Sequence, residues 1–279
     1  MKILTTILLL SNLIFSAWNL DQLSDQDFRP SKQLNWQTAN FGIKASSYIY
    51  DNEFQDLNNF MTENDFDLVQ EIDDVDIIKV NKLPVLADLQ ASVYKKTISL
   101  NHRKKNLVVV VFRGTDSKYD ITTDLNAILT RWEKVRWSRH SFFKFRKPMV
   151  HRGFLGSVLL FQKRLDEKTK QLIEDKNSIV FITGHSLGGS LATIYGAKLI
   201  DNNKPSSQLL VYTYGAAGFA NKYFVKKFNK RFYLHRIHNK HDVVVRSTNI
   251  YSRLTGGYQF KTGKHSKKDY ISRIEGMLK

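Results

Sequence analysis

The chain has 279 residues, 42% of them hydrophobic and 12% aromatic, which excludes a disordered polymer and is enough for one large domain with a substantial core. It contains no cysteine, which excludes a disulfide framework, thiolate chemistry and a cysteine-based zinc site. The net charge of +17 is unevenly placed: residues 18–92 hold 14 Asp and Glu against 5 Lys and Arg, and residues 93–279 hold 12 against 37. That asymmetry predicts charge complementarity within the molecule and an excess positive field that draws it to anionic surfaces.

Residues 1–17 begin Met1-Lys2 and continue as a short apolar run ending Phe15-Ser16-Ala17. A positive start, a short apolar stretch and small residues predict a secretory signal peptide cleaved near residue 17 and a secreted or periplasmic protein. The run is too short for a comfortable membrane span. Residues 18–279 then read as a single domain, without repeats or a low-complexity linker.

From Trp18 to about Asn40 the pattern is polar and predicts an irregular lead-in, with a helix starting over Phe41–Tyr50. Asp51 to Asp76 holds ten acidic residues interleaved with Phe54, Leu57, Phe60, Phe66, Leu68 and Val69, which predicts acidic amphipathic segments. No EF-hand spacing occurs there, so a solvated face is preferred to a calcium site. Gln90–Leu100 and Leu107–Phe112 flank a basic turn over 101–106 and predict a β-hairpin whose second arm is a fully buried strand. Phe154 to Asp175 predicts one long amphipathic helix. Gln208–Tyr214 and Arg231–His238 read as strands and Asn221–Asn229 as a short helix. Strands alternating with helices predict an α/β fold with a mainly parallel central sheet and helices on both faces.

Between these elements lies Gly184-His185-Ser186-Leu187-Gly188, a G-x-S-x-G pattern. The β-branched run Ser178–Ile182 precedes it, and a helically spaced apolar run from Ser190 to Ile200 follows. This is the context of a nucleophile elbow, in which a sharp strand-to-helix turn pushes the serine out above the sheet. A serine hydroxyl needs a base, and the base needs a carboxylate that fixes its tautomer. In α/β-hydrolases the chain order is Ser, then Asp or Glu, then His. The only carboxylates between Ser186 and the last histidine, His265, are Asp201 and Asp242. Asp201 falls at the far end of the helix after the elbow, whereas Asp242 follows a strand at the carboxyl edge, where such sites are built. Only His265 follows Asp242. The order therefore selects Ser186, Asp242 and His265.

The other histidines have plainer readings. His185 points away from the nucleophile, His235 and His238 sit on a strand, and His140 and His151 precede the elbow. His241 is the alternative base, beside Asp242. The His235/His238/His241 group matches no zinc spacing, so no metal is expected. For the oxyanion hole, the backbone N–H of Leu187 is one donor, and Thr115, after the strand ending at Phe112, is the best second candidate.

Taken together, Val111-Phe112-Arg113-Gly114-Thr115, Asp120-Ile121-Thr122-Thr123-Asp124-Leu125, Val150-His151-Arg152-Gly153-Phe154, the elbow, Tyr212-Thr213-Tyr214-Gly215, Asn239-Lys240-His241-Asp242 and His265-Ser266-Lys267-Lys268-Asp269-Tyr270 resemble the fungal-type (class 3) lipase family of the α/β-hydrolase superfamily. The resemblance runs from about Gln90 to the C-terminus. It implies that Thr115 supplies both a hydroxyl and an N–H to the oxyanion hole, that Asp124 holds the Thr115 hydroxyl, and that Asp242 and His265 complete the triad. Ile121 stands where the family usually has Trp, and Val243 and Val245 replace prolines common after the catalytic Asp.

The resemblance also implies a lid, here at about 128–148. In it Trp132, Trp137, Phe142, Phe143 and Phe145 alternate with Arg and Lys, a composition suited to an anionic lipid interface. The expectation is thus a secreted serine carboxylester hydrolase of the lipase type, releasing fatty acids from lipid esters through an acyl-enzyme. It needs no cofactor, touches an anionic lipid surface transiently, and has no nucleic-acid or obligate protein partner. The alternative within the class is a phospholipase A1 or lysophospholipase on anionic membranes. The alternative outside it is a catalytically silent basic hydrolase-fold protein that binds nucleic acid or acidic polysaccharide.

Overall fold

The run Leu107-Val108-Val109-Val110-Val111-Phe112 has no polar face, so as a strand it must be covered on both sides. In the structure, a computed structural model that describes residues 23–50, 54–114, 128–132, 147–248 and 251–279, it is. Val108, Val110 and Phe112 enter one core and Leu107, Val109 and Val111 the other, all fully buried.

The elements in chain order are α1 (Trp36–Tyr48), α2 (Gln55–Glu63), β1 (Asp67–Val80), β2 (Leu83–Leu100), β3 (Arg103–Phe112), β4 (Leu129–Arg131) and β5 (Met149–His151). There follow α3 (Arg152–Arg164), α4 (Glu167–Glu174), β6 (Ser178–His185), α5 (Leu187–Asp201), β7 (Leu209–Tyr214), α6 (Lys222–Phe228), β8 (Tyr233–Asn239), α7 (Val243–Ser247), β9 (Tyr258–Phe260) and α8 (Lys267–Glu275). The main sheet has the order β1-β2-β3-β6-β7-β8-β9. The β1–β2 and β2–β3 pairs are antiparallel; from β3 through β9 every pair is parallel. Helices α3, α5 and α6 cover one face, and α1, α2 and α8 the other. This is a mainly parallel α/β sheet of the α/β-hydrolase type.

Element boundaries depart from the sequence reading where local chemistry decides them. Helix α1 starts at Trp36, not Phe41, because the Asn35 side chain accepts the Thr38 N–H at 2.9 Å and caps it. The β2–β3 hairpin turns on Asn101 and His102 alone, both with positive φ, so the turn is two residues long and not six. The helix expected over 154–175 is two helices: Leu165 leaves the helical conformation, and Asp166 caps α4 by accepting the Thr169 N–H at 2.7 Å. The acidic stretch is half strand: in β1, Glu71 and Asp73 face water, while Asp76 pairs with Lys163 of α3 at 2.7 Å and Asp74 pairs with Arg164. The acidic edge strand and the basic last turn of α3 thus pair with each other at the surface.

The second core is an aromatic cluster centred on β6. Phe181 is fully buried, with the rings of Phe28, Phe41 and Tyr212 at 5.7, 6.0 and 5.7 Å. Phe181→Ala should lower the unfolding free energy by about 3–5 kcal/mol; a shift of the urea midpoint at unchanged slope is the expected reading, and an unchanged midpoint contradicts the packing.

Candidate active site

The elbow is built by backbone contact. Ser186 has φ 58° and ψ −125°, a conformation few non-glycine residues adopt, and its N–H donates to the Tyr214 carbonyl at 2.9 Å. A Cβ on Gly184 would lie 2.3 Å from the Gly188 carbonyl carbon, so no side chain fits where β6 turns into α5. Strand β3 ends alongside: Gly114 abuts the His185 carbonyl and the Ser186 Cβ. Leu187 is the first residue of α5, where an N–H has no carbonyl partner within the helix.

The segments that follow β8 and β9 bring the other two groups in. Asp242 follows β8, and His265 precedes α8. His265 Nε2 lies 2.9 Å from Ser186 Oγ, and His265 Nδ1 lies 2.7 Å from Asp242 Oδ2. A carboxylate only accepts, so Nδ1 carries the proton and Nε2 is left to accept from the serine hydroxyl. Ser186 and Asp242 are buried, and His265 retains slight exposure.

Asp242 has further donors. Its Oδ1 accepts the N–H groups of Val244 and Val245 at 2.9 and 3.1 Å, and its Oδ2 accepts the Tyr270 hydroxyl at 2.7 Å. Burial pushes its carboxyl up, but the bonds from His265, Tyr270 and Val245 outweigh that and hold it below the ordinary value. Val245 has a backbone N–H to give, which a proline at this position would lack. Gly215, after β7, has φ +56°, and a Cβ on it would lie 2.7 Å from Asp242 Oδ2. Tyr270 in turn accepts the Asn239 N–H at 3.1 Å, tying α8 to β8.

His185 supports the loop that carries the base. Its Nε2–H donates to the His265 carbonyl at 2.8 Å, its Nδ1 faces the Tyr50 hydroxyl at 3.4 Å, and its ring lies 4.6 Å from that of His265. Burial, then the neighbouring His265, push its pKa down to about 3, so it stays neutral. Gly215, Tyr270, Tyr50 and His185 were not read as site residues. The only signal for them lay in motif membership (Tyr270 after His265, Gly215 after Tyr214), since their bonds join distant parts of the chain.

Other expected positions sort plainly. Trp132 is a correction: expected on an interfacial lid, it is 4% exposed, packed on Phe224 and Phe228 with ring centroids at 5.0 and 5.2 Å, and its indole N–H donates to Asp201. An indole with a carboxylate partner and a large ring to bury is a core anchor. Thr115, Asp124, Trp137, Phe142, Phe143 and Phe145 lie outside the described residues, as do residues 1–22 and 133–146. His151 caps α3 by accepting the Phe154 N–H at 3.3 Å, His235 bonds the Ser31 carbonyl at 2.9 Å, and His241 is exposed. Among the described residues, no group of three or more His, Asp or Glu is placed to hold a metal ion.

A parallel sheet with a serine elbow, and a His–Asp pair at its carboxyl edge, defines the α/β-hydrolase class. The sequence pattern of the Lipase (class 3) family matches residues 109–252, just over half of the chain, and the chain belongs to that family. It is 29% identical over 146 residues to Lipase ZK262.3 of Caenorhabditis elegans, covering 49% of this chain and 36% of that protein. It is 29% identical over 147 residues to the chloroplastic phospholipase A(1) DAD1 of Arabidopsis thaliana, covering 50% and 33%. The chain thus matches about a third of the length of these curated relatives. Among solved structures, a triacylglycerol lipase described as having a serine protease triad as its catalytic centre superposes with a TM-score of 0.62 at 19% identity, over 84% of this chain and 83% of that one. Lip2 lipase from Yarrowia lipolytica gives 0.59 at 21% identity, over 83% and 80%. At these identities the structural likeness establishes the fold.

The depressed His185 pKa has a consequence for stability. The unfolded chain takes up this proton near pH 6.5 and the folded chain only near pH 3, so stability is fully present above 6.5 and is lost as pH falls towards 3. The full loss from this residue is on the order of 5 kcal/mol. Unfolding free energies measured from pH 7 to pH 4 should therefore decline more steeply in wild type than in His185→Gln; equal slopes would contradict the buried neutral imidazole.

Proposed function

We propose that the chain is a serine carboxylester hydrolase acting on lipid esters. The observation that carries the reading is His265 bridging Ser186 Oγ and Asp242 within hydrogen-bond distance at a strained strand-to-helix turn. In the proposed reaction Ser186 Oγ attacks the acyl carbonyl carbon while His265 Nε2 takes its proton. Asp242 stabilises the resulting imidazolium, and the Leu187 N–H with Thr115, supported by Asp124, receives the oxyanion. His265 then protonates the departing alkoxide as the ester C–O bond breaks, leaving an acyl-enzyme. Water, deprotonated by the same imidazole, attacks the acyl carbon; the bond to Ser186 Oγ breaks, His265 returns the proton to Oγ, and the fatty acid is released.

Residues 1–17 support export, and the excess of Lys and Arg after residue 92 supports action at an anionic interface. That excess favours a second reading within the class, a phospholipase A1 activity on anionic phospholipids. Trp137, Phe142, Phe143 and Phe145, with their neighbouring Arg and Lys, support contact of the 133–146 segment with such a surface.

Fatty-acid release from tributyrin, triolein and phosphatidylglycerol vesicles is the direct test. Wild type should release acid from at least one of them, and Ser186→Ala should lower the rate by about a thousandfold or more. If both proteins release equally little from all three, the hydrolase reading fails, and a catalytically silent binding protein replaces it. The position of the acyl chain removed from a phospholipid separates the two readings within the class. On a soluble short-chain ester, Tyr270→Phe should reduce kcat about tenfold, the worth of one hydrogen bond to a charged group, with little change in KM.

A further inference from the structure

Residues 77–86, Ile77-Ile78-Lys79-Val80-Asn81-Lys82-Leu83-Pro84-Val85-Leu86, hold two lysines and no acidic residue, inside an N-terminal region that is otherwise acidic. They form the end of the β1–β2 hairpin, around a turn at Asn81 and Lys82. Ala91 pairs with Phe112, the last residue of β3. Everything in the hairpin beyond Ala91 therefore extends past the carboxyl end of β3, the sheet edge at which Ser186 and Asp242 lie.

Strand alternation gives this extension two faces. On the inner face Ile78, Val80 and Ala87 are buried in the core that includes α3. On the outer face Val75, Ile77 and Lys79 stand opposite Asp88, Leu86 and Pro84. Ile77 and Leu86 are direct cross-strand partners, yet they are 64% and 71% exposed; Val75 beside them is 57% exposed, and Leu83 at the turn 53%. Contiguous exposed aliphatic side chains on an extended hairpin are an interaction surface or an aggregation hazard. Acidic residues flank the patch on the sheet side, at Asp73 and Asp88, whereas its tip carries only Lys79 and Lys82.

We propose that this hairpin end is a docking surface for an anionic lipid bilayer. Ile77 and Leu86 enter the boundary between headgroups and acyl chains, and Lys79 and Lys82 meet the lipid phosphates. Charge separates this occupant from a second copy of the chain: pairing two such tips brings the lysines of both together. The turn is also tied to β4. Asn81 Nδ2 donates to Thr130 Oγ1 and to the Arg131 carbonyl, both at 2.8 Å, on the strand that leads in sequence to the basic aromatic segment 133–146. Among the described residues no helix is long and apolar enough to cross a membrane. The purpose of the docking rests on the lipid-ester reading; the docking itself is measured separately.

The absence of cysteine makes a clean probe available. Leu86→Cys labelled with an environment-sensitive nitrobenzoxadiazole should brighten and shift to the blue on vesicles of phosphatidylglycerol and phosphatidylcholine, while the same label at Glu167→Cys, exposed on α4, stays unchanged. Co-sedimentation with those vesicles should weaken about tenfold or more in Ile77→Thr/Leu86→Thr. Hydrolysis of a soluble short-chain ester by the same variant should be unaltered. If wild type hydrolyses vesicle lipid while the label at position 86 is silent, the docking proposal is overturned and the hydrolase reading stands. If nothing is hydrolysed yet the label responds, docking stands and the hydrolase reading falls. A label response in the absence of vesicles, with a concentration-dependent dimer that the double Thr variant abolishes, overturns the proposal in favour of a second copy.

Discussion

The backbone conformation of Ser186 is the constraint on which the remainder of the structure depends. A non-glycine residue at φ 58° and ψ −125° costs about 1–3 kcal/mol and persists only where its surroundings leave no alternative. Here β6 is clamped between β3 and β7 in parallel register, the Ser186 N–H is bonded to Tyr214, and Gly184 and Gly188 meet backbone to backbone. The apolar runs of the central strands therefore do more than fill two cores. Their burial stabilises a sheet stiff enough to hold one serine in a conformation that it would not choose.

The polar side of the site follows the same logic at a different scale. A buried carboxylate beside a histidine is unfavourable unless its lone pairs are filled. Asp242 has four donors, from His265, Tyr270, Val244 and Val245, and they come from two different stretches of the chain. His265 is held twice over, by Asp242 through its ring and by His185 through its carbonyl. The imidazole is thus oriented by groups that themselves cannot move without breaking buried bonds.

Much of this was legible in the amino-acid sequence, and the parts that were not share a physical reason. Ser186, Asp242 and His265 could be selected because chain order leaves two carboxylates and only Asp242 follows a strand, and the structure brings those three side chains within reach of one another. The buried strands were legible because β-branched runs without polar residues have few alternatives. Gly215, Tyr270 and His185 act through contacts between residues far apart in sequence, and no periodicity encodes those. The start of α1 was hidden because Trp36, Gln37 and Thr38 look irregular until Asn35 is seen to cap them. Trp132 misled for a related reason. An aromatic among arginines reads as interfacial, and only the positions of Asp201, Phe224 and Phe228 reveal a pocket made for an indole.

That buried indole also decides what holds β4 against β5. The Trp132 backbone N–H donates to the Pro148 carbonyl at 3.0 Å, and Asn221 Nδ2 donates to the Lys147 carbonyl at 2.9 Å. The groups that grip the indole, Asp201 at the end of α5 and Phe224 and Phe228 on α6, belong to the helices that cover the sheet. The β4–β5 pair is therefore a rivet between those helices and the β1–β2 hairpin, whose turn reaches the same strand through Asn81. Loosening one ring would release both at once.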